Sequence, residues 1–328
     1  MEWHGYTIVL ASYMINIGMG KEQRTLVFCL ATAFIHVDSY CLRDGNQTMH
    51  AHDLRRRLDQ RCGFNVFSAD SLASSSKCPR MPGSMPPPTA LDDRWPCLLQ
   101  ELILRERKKS SWNRYYSKVT DFIDMKFPGR ASVGVVEGNS GERPVRVVEI
   151  GTAWGGNADS ILFTLPGVEL FAVDPLIADY DERDGQSKIM HNLARVKKMS
   201  KEDLSQAWAS GLAAHALHRH GCRYQMFHMK STEASQYFED ESIDVIFVDG
   251  LHSYEGVKDD LHAWWPKINK AHGIMLFNDY EKEEAFPGVR KAVDEFMAAQ
   301  GLRARIAPDR APPGPQNAYV LLGHRMDF

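Results

Sequence analysis

The sequence predicts an α/β domain on a doubly wound, mostly parallel sheet of seven strands, behind a poorly ordered N-terminal extension. Three observations predict it. From residue 144 onward, short apolar runs alternate with segments of helical periodicity to the end of the chain. The first of those runs enters a glycine turn that opens into a helix. Residues 68–96, by contrast, are dominated by Ser and Pro and lack apolar periodicity.

Whole-chain averages exclude several classes. The 328 residues are 44% hydrophobic and 25% charged, values of a globular chain rather than a disordered, collagen-like or coiled-coil one. With 39 Lys+Arg against 42 Asp+Glu the formal charge is −3, so there is no basic footprint of a general nucleic-acid binder and no nucleic-acid partner is expected. No apolar run reaches the roughly 18–20 residues of a clean transmembrane helix. Five of the six cysteines precede residue 100 and none forms a CxxC pair, which gives a zinc centre little support. Cys222, isolated in the second half, is expected to be buried and inert.

The elements follow in order. Residues 1–50 form a hydrophobic N-terminal segment with apolar stretches at 6–19 and 25–37, split by Lys21-Glu22-Gln23-Arg24. Read from Met19, a short basic region precedes thirteen apolar residues, the outline of a signal peptide or short anchor. No small-x-small cleavage site follows, so a mispredicted or poorly ordered N-terminus, or a helix packed on the domain, stays open. The localisation follows from that choice: cytoplasmic for the core domain by default, or secretory or membrane-anchored through residues 5–37. The sequon Asn46-Gln47-Thr48 has meaning only in the second case. Residues 51–97 read as a disordered linker and 98–140 as a helical cap, with the basic cluster Arg105, Arg107, Lys108 and Lys109 as a solvated face.

Residues 141–328 make up the main domain. Strands are expected at Val145–Ile150, 170–173, 224–228, 243–248, 273–277, 303–306 and 318–322, and helices at 157–165, 204–217, 257–268 and 289–297. The 177–221 insertion, Asp-rich and then helical, is a candidate lid or acceptor pocket. Asp244 begins a strand, Tyr254 and Glu255 are candidate caps of the helix at Val257, and Trp264 and Trp265 are core. Trp154 packs either over a bound cofactor or over the sheet.

Two constellations carry chemistry. In the first, Glu149-Ile150-Gly151 leads to Gly155 and a helix. Glycine there permits close approach of a ligand to the backbone, and helix-start amides face it. Twenty-three residues after Gly151 a strand ends in Asp174, where a carboxylate can accept both hydroxyls of a ribose. The spacing is ExGxxxG rather than the dinucleotide GxGxxG, and no GK[ST] supports a phosphate loop. In the second, Asp249-Gly250-Leu251-His252-Ser253-Tyr254-Glu255-Gly256-Val257 follows one strand, and Asn278-Asp279-Tyr280 follows the next. Open α/β sheets bind ligands beyond these carboxyl ends. Asp249 and Asp279, with Asn278, could hold a hard divalent cation such as Mg2+. His252 could act as general base with Asp249 beside it.

Together these motifs resemble class I S-adenosylmethionine-dependent methyltransferases, in the group that includes sugar and macrolide-sugar O-methyltransferases and cephalosporin-hydroxylase-like proteins. The resemblance covers about residues 146–297 and implies a Rossmann-like fold, S-adenosyl-L-methionine as cofactor and a hydroxylated small molecule as acceptor. It implies Glu149, Gly151, Gly155 and Asp174 as cofactor residues, Met229 and Ser231 at the adenine end, acidic metal ligands at strand ends and a histidine base. Asn278 stands where relatives can carry a second acid, which weakens the metal expectation. A metal-independent methyltransferase, a catalytically silent cofactor-binding or interaction domain, and a nicotinamide-dependent oxidoreductase are the alternatives. The oligomeric state is not legible.

Overall fold

The computed structural model describes residues 78–86, 110–133, 143–177, 180, 200–306 and 317–322. The apolar segment at 5–37, the sequon, the cluster at 105–109 and the first half of the 177–221 insertion lie outside them. Among the described residues no helix is long and apolar enough to cross a membrane.

The sheet has seven strands: β1 (Val145–Ile150), β2 (Val168–Val173), β3 (Tyr224–Phe227), β4 (Val245–Val248), β5 (Ile274–Phe277), β6 (Arg305–Ile306) and β7 (Ala318–Leu321). Their order is β3-β2-β1-β4-β5-β7-β6. The first five are parallel, and β7 returns antiparallel to both β5 and β6. The chain moves outward from β1 to β3 and then comes back to lay β4 against the other side of β1. That reversal opens a crevice beyond the carboxyl ends of β1 and β4.

Strand periodicity sends alternate side chains to opposite faces. Val145, Val147, Leu170, Ala172 and Val245 pack under α1 (Ser110–Lys126), α2 (Gly156–Thr164) and α3 (Lys201–His220). Val148, Ile150, Phe171, Ile246 and Val248 pack under α5 (Tyr254–Trp264) and α6 (Pro287–Ala299). The four-residue α4 (Ser231–Ala234) follows β3. Because both faces are covered, the strands read as nearly continuous apolar runs. Trp264 is fully buried, as expected of a core residue.

Three local readings need correction. Helix α3 is not a lid: Leu204, Trp208 and Leu212 belong to the core under the first face, and Ser200 caps the helix by accepting the Asp203 amide at 3.0 Å. The cap of α5 is Ser253, which accepts the Gly256 amide at 3.1 Å, rather than Tyr254 or Glu255. Part of the Ser/Pro linker is ordered. Met85 donates its amide to the Met226 carbonyl at 2.7 Å, and Met81 donates its amide to the Gln225 side chain at 2.8 Å. Residues 78–86 thereby cover the free edge of β3, which would otherwise expose unpaired backbone groups. Cys78 closes this strap through a disulfide to Cys222, so Cys222 is neither buried nor unpaired.

At the opposite end of the sheet, before β4, Asp244 is fully buried. It accepts from Arg143 at 2.6 and 3.0 Å, the Arg146 amide at 2.9 Å and His272 at 2.9 Å, with Arg130 at 2.6 Å. Burial alone would raise its pKa, but these donors hold it below the usual carboxylate range. Asp244 therefore does more than begin a strand: it fastens the amino end of the sheet.

Candidate active site

The loop from β1 to α2 is built on left-handed backbone. Gly151, Ala153 and Gly155 have φ of 84°, 45° and 71°. A Cβ on Gly151 would lie 2.0 Å from the Asp249 carbonyl oxygen, so the glycine is required by the neighbouring β4 loop, whatever ligand approaches. A positive φ at an alanine is strained and survives only when the surroundings over-determine it. Here the Ala153 amide donates to Asp174 at 2.8 Å, and its carbonyl accepts the Trp208 indole at 3.1 Å. Trp154 packs edge-on against Trp208, with ring centroids 4.3 Å apart. It is buried in the core, which settles its role on the sheet side.

Asp174, at the end of β2, also accepts the Leu176 amide at 2.7 Å, so its carboxylate ties the glycine loop to the loop after β2. Glu149 lies buried beneath the glycine loop. It accepts from Thr152 at 2.6 Å and from the Asn157 side-chain amide at 2.8 Å. Burial pushes its pKa up to about 8, against the pull of those two hydrogen bonds. In this arrangement Glu149 braces the loop and α2 from below.

At the ends of β3 and β4 the structure adds a residue that sequence reasoning passed over. Ser231 donates its hydroxyl to Asp260, a buried carboxylate on α5 whose pKa burial raises to about 7. Asp260 shares the buried face of α5 with Val257, Leu261 and Trp264, and an acid on an apolar stripe was the available signal. Met229 packs against the same core. His228, after β3, lies 2.7 Å from the Ser205 hydroxyl and 3.1 Å from the Pro175 carbonyl, joining α3 to the ends of β2 and β3. These groups fit an adenosyl cofactor in donor chemistry: a carboxylate at the β2 end for ribose hydroxyls, helix-start amides beside it, and a mixed apolar and polar wall at Met229, Ser231 and Asp260.

The second constellation is brought together as the motifs suggest. Asp249 ends β4, and Asn278 and Asp279 end β5. Asp279 takes φ 54°, a conformation Asp tolerates better than most side chains. His252 is buried, with its ring stacked on Phe286 at 4.2 Å between centroids. Its Nε2 lies 3.5 Å from Asp249 Oδ1 and 3.6 Å from Asp279 Oδ2. The Asn278 amide nitrogen donates to Asp249 Oδ1, and Lys282 Nζ sits 2.8 Å from Asp279 Oδ1. Burial raises the Asp249 pKa to about 6, and His252 opposes that shift.

The expected metal set of Asp249, Asn278 and Asp279 does not fit this geometry. A hard cation needs several oxygens turned toward one point, whereas nitrogen atoms of His252, Asn278 and Lys282 face the carboxylate oxygens. Among the described residues no group of three or more His, Cys, Asp or Glu is arranged to hold a metal ion. No chemical step is derived through a metal.

Residues 148–280 match the family model described as a methyltransferase domain. The match covers less than half of the chain and makes its C-terminal domain similar to a methyltransferase domain. Its glycine-turn and strand-end motifs resemble those of the class I, S-adenosylmethionine-dependent group. An uncharacterized protein of Sinorhizobium fredii is 30% identical over 161 residues, which is 48% of this chain and 15% of that protein. An uncharacterized protein of Acanthamoeba polyphaga mimivirus is 26% identical over 152 residues, 46% of this chain and 58% of its own. The match therefore spans less than two thirds of either relative. Among solved structures, a 1,6-didemethyltoxoflavin-N1-methyltransferase of Burkholderia thailandensis, with S-adenosylhomocysteine bound, aligns at 12% identity with a TM-score of 0.35. That alignment covers 73% of this chain and 92% of the other. The CurJ carbon methyltransferase aligns at 15% identity with a TM-score of 0.34, over 68% and 57% of the two chains.

Proposed function

We propose that the methyltransferase domain O-methylates a hydroxylated small molecule, a sugar being the acceptor class the motif resemblance favours, with His252 as general base and without a metal. The observation that carries this reading is the His252 imidazole held between Asp249 and Asp279 at the carboxyl ends of adjacent strands. S-adenosylmethionine would supply an electrophilic methyl group on a sulfonium sulfur. Gly151 and Gly155 would shape the loop that receives it, Asp174 would hold the ribose hydroxyls, and Met229 and Ser231 would wall the adenine.

The protein's own part is then acid–base and positional. An alcohol is a weak nucleophile, and removing its proton as it attacks is worth about 10²–10⁴ in rate. His252 takes that proton. The two flanking carboxylates favour the imidazolium that results, and Phe286 fixes the ring plane. Lys282 offsets one of the two negative charges. Holding acceptor oxygen and methyl carbon in line supplies the rest.

The Cys78–Cys222 disulfide supports residence in an oxidising compartment, in keeping with the signal-like segment at 19–37.

The test is calorimetry on the full-length protein with S-adenosylmethionine and with NAD, followed by incubation with labelled cofactor and a panel of hydroxylated sugars and phenols. Binding of S-adenosylmethionine alone, with S-adenosylhomocysteine released in step with a methylated acceptor, is the expected result. Tighter binding of NAD rejects the reading.

A further inference from the structure

Lys282 has no place in the motifs that identify the domain, yet it reaches the centre of the site. It lies three residues after Asp279, on the loop between β5 and α6, and its side chain is 35% exposed. Its ammonium is 2.8 Å from Asp279 Oδ1, while His252 Nε2 stands 3.6 Å from the other oxygen of that carboxylate. Asp249 Oδ1 faces Asn278 Nδ2 and His252 Nε2. Three nitrogen groups from three positions thus converge on two carboxylates.

Two carboxylates held this close, one of them largely buried, repel each other and need a compensating charge. A divalent cation would supply it by drawing oxygens inward at about 2.0–2.6 Å. An ammonium supplies it through hydrogen bonds at ordinary length and can be placed permanently by the chain. The second arrangement is the one present. An ammonium on Asp279 also opposes a metal directly, since a divalent ion bound to that carboxylate would lie within a few ångströms of a like charge.

We infer that Lys282 is the resident cation of this site: it takes the place of a divalent metal, and it keeps Asp279 set against His252. It is a positioning residue, acting through Asp279. The inference rests on the methyltransferase reading only for its kinetic consequence; the cation chemistry is independent of the acceptor.

The experiment is a Mn2+ titration of metal-stripped full-length protein, followed by electron paramagnetic resonance, on the wild type, Lys282→Gln and Lys282→Arg. Circular dichroism confirms that each is folded. The wild type and Lys282→Arg are expected to show no saturable Mn2+ site into the millimolar range, and Lys282→Gln to bind Mn2+ at least about tenfold more tightly. That gain should vanish in Lys282→Gln combined with Asp279→Asn. A saturable Mn2+ site in the wild type that is lost in Asp279→Asn would overturn the inference, as would a Lys282→Gln variant that gains no affinity. Methyl transfer by the wild type should be unchanged by a chelator. If no form of the protein transfers methyl groups to any acceptor, the catalytic reading fails while the Mn2+ result still decides the role of Lys282.

Discussion

Strand β4 carries an aspartate just before its first residue and another just after its last, and the two are treated in opposite ways. Asp244 is completely buried, yet Arg130, Arg143, His272 and the Arg146 amide surround it, and its pKa is held low. Asp249 meets only a neutral amide, an imidazole and a second carboxylate, so the upward push of burial is not overcome and its pKa rises to about 6. The first cluster satisfies its charge completely and has nothing left for chemistry. The second is under-compensated, which is what the proposed proton transfer to His252 requires. Five residues of one sequence thus separate a structural clamp from the proposed reactive group, and the direction of a parallel strand decides which is which.

The sharpest way to break this comparison is to neutralise each end in turn. Asp244→Ala leaves Arg130 and Arg143 without their shared carboxylate and should destabilise the domain by about 3–5 kcal/mol, read by urea unfolding at neutral pH. Asp249→Asn, at the reactive end, should stay within about 1 kcal/mol of the wild type in the same experiment. Equal losses at both ends would remove the distinction. Acid sharpens it further. A carboxyl with a lowered folded pKa contributes stability above its unfolded value near 3.8 and loses it as pH falls, so the Asp244→Ala variant should be less acid-sensitive than the wild type.

A smaller effect comes from Glu149, which offers the reverse case inside the cofactor loop. Its pKa is raised from 4.5 to about 8, so the folded state holds the proton more tightly than the unfolded one. Its contribution is greatest below pH 4.5 and is lost as pH rises toward 8, at up to about 1.4 kcal/mol per pH unit. Glu149→Gln mimics the protonated acid and should flatten the pH dependence of the unfolding free energy between pH 5 and 8. An unchanged slope would show that Glu149 is already ionised in the fold.

Much of this was legible in the sequence because it is local. Strand β1, the glycine turn, Asp174 and the pairing of His252 with Asp249 and Asp279 all follow from apolar period and from the rule that residues after parallel strands meet at one edge. What was not legible depends on partners distant in the chain. Gly151 reads as a ligand-approach glycine, but its constraint is the carbonyl of Asp249, 98 positions later. The Cys78–Cys222 bridge spans 144 residues, and no spacing rule announces it. Asp244 looked like a strand-opening acid because its arginines come from 130 and 143. Lys282 was hidden for a different reason: it lies near Asp279 in sequence, but lysines on exposed loops are too common to single out.

The central claim is that His252, set between Asp249 and Asp279, removes a proton in methyl transfer and takes no part in holding the cofactor. The most direct measurement compares the wild type with His252→Ala in two quantities at once, S-adenosylmethionine affinity by calorimetry and the single-turnover rate of methyl transfer. The account predicts affinity within about threefold of the wild type and a rate lower by about 10²–10⁴, partly restored by added imidazole. An unchanged rate, or a loss of affinity that accounts for the whole fall in rate, would contradict it.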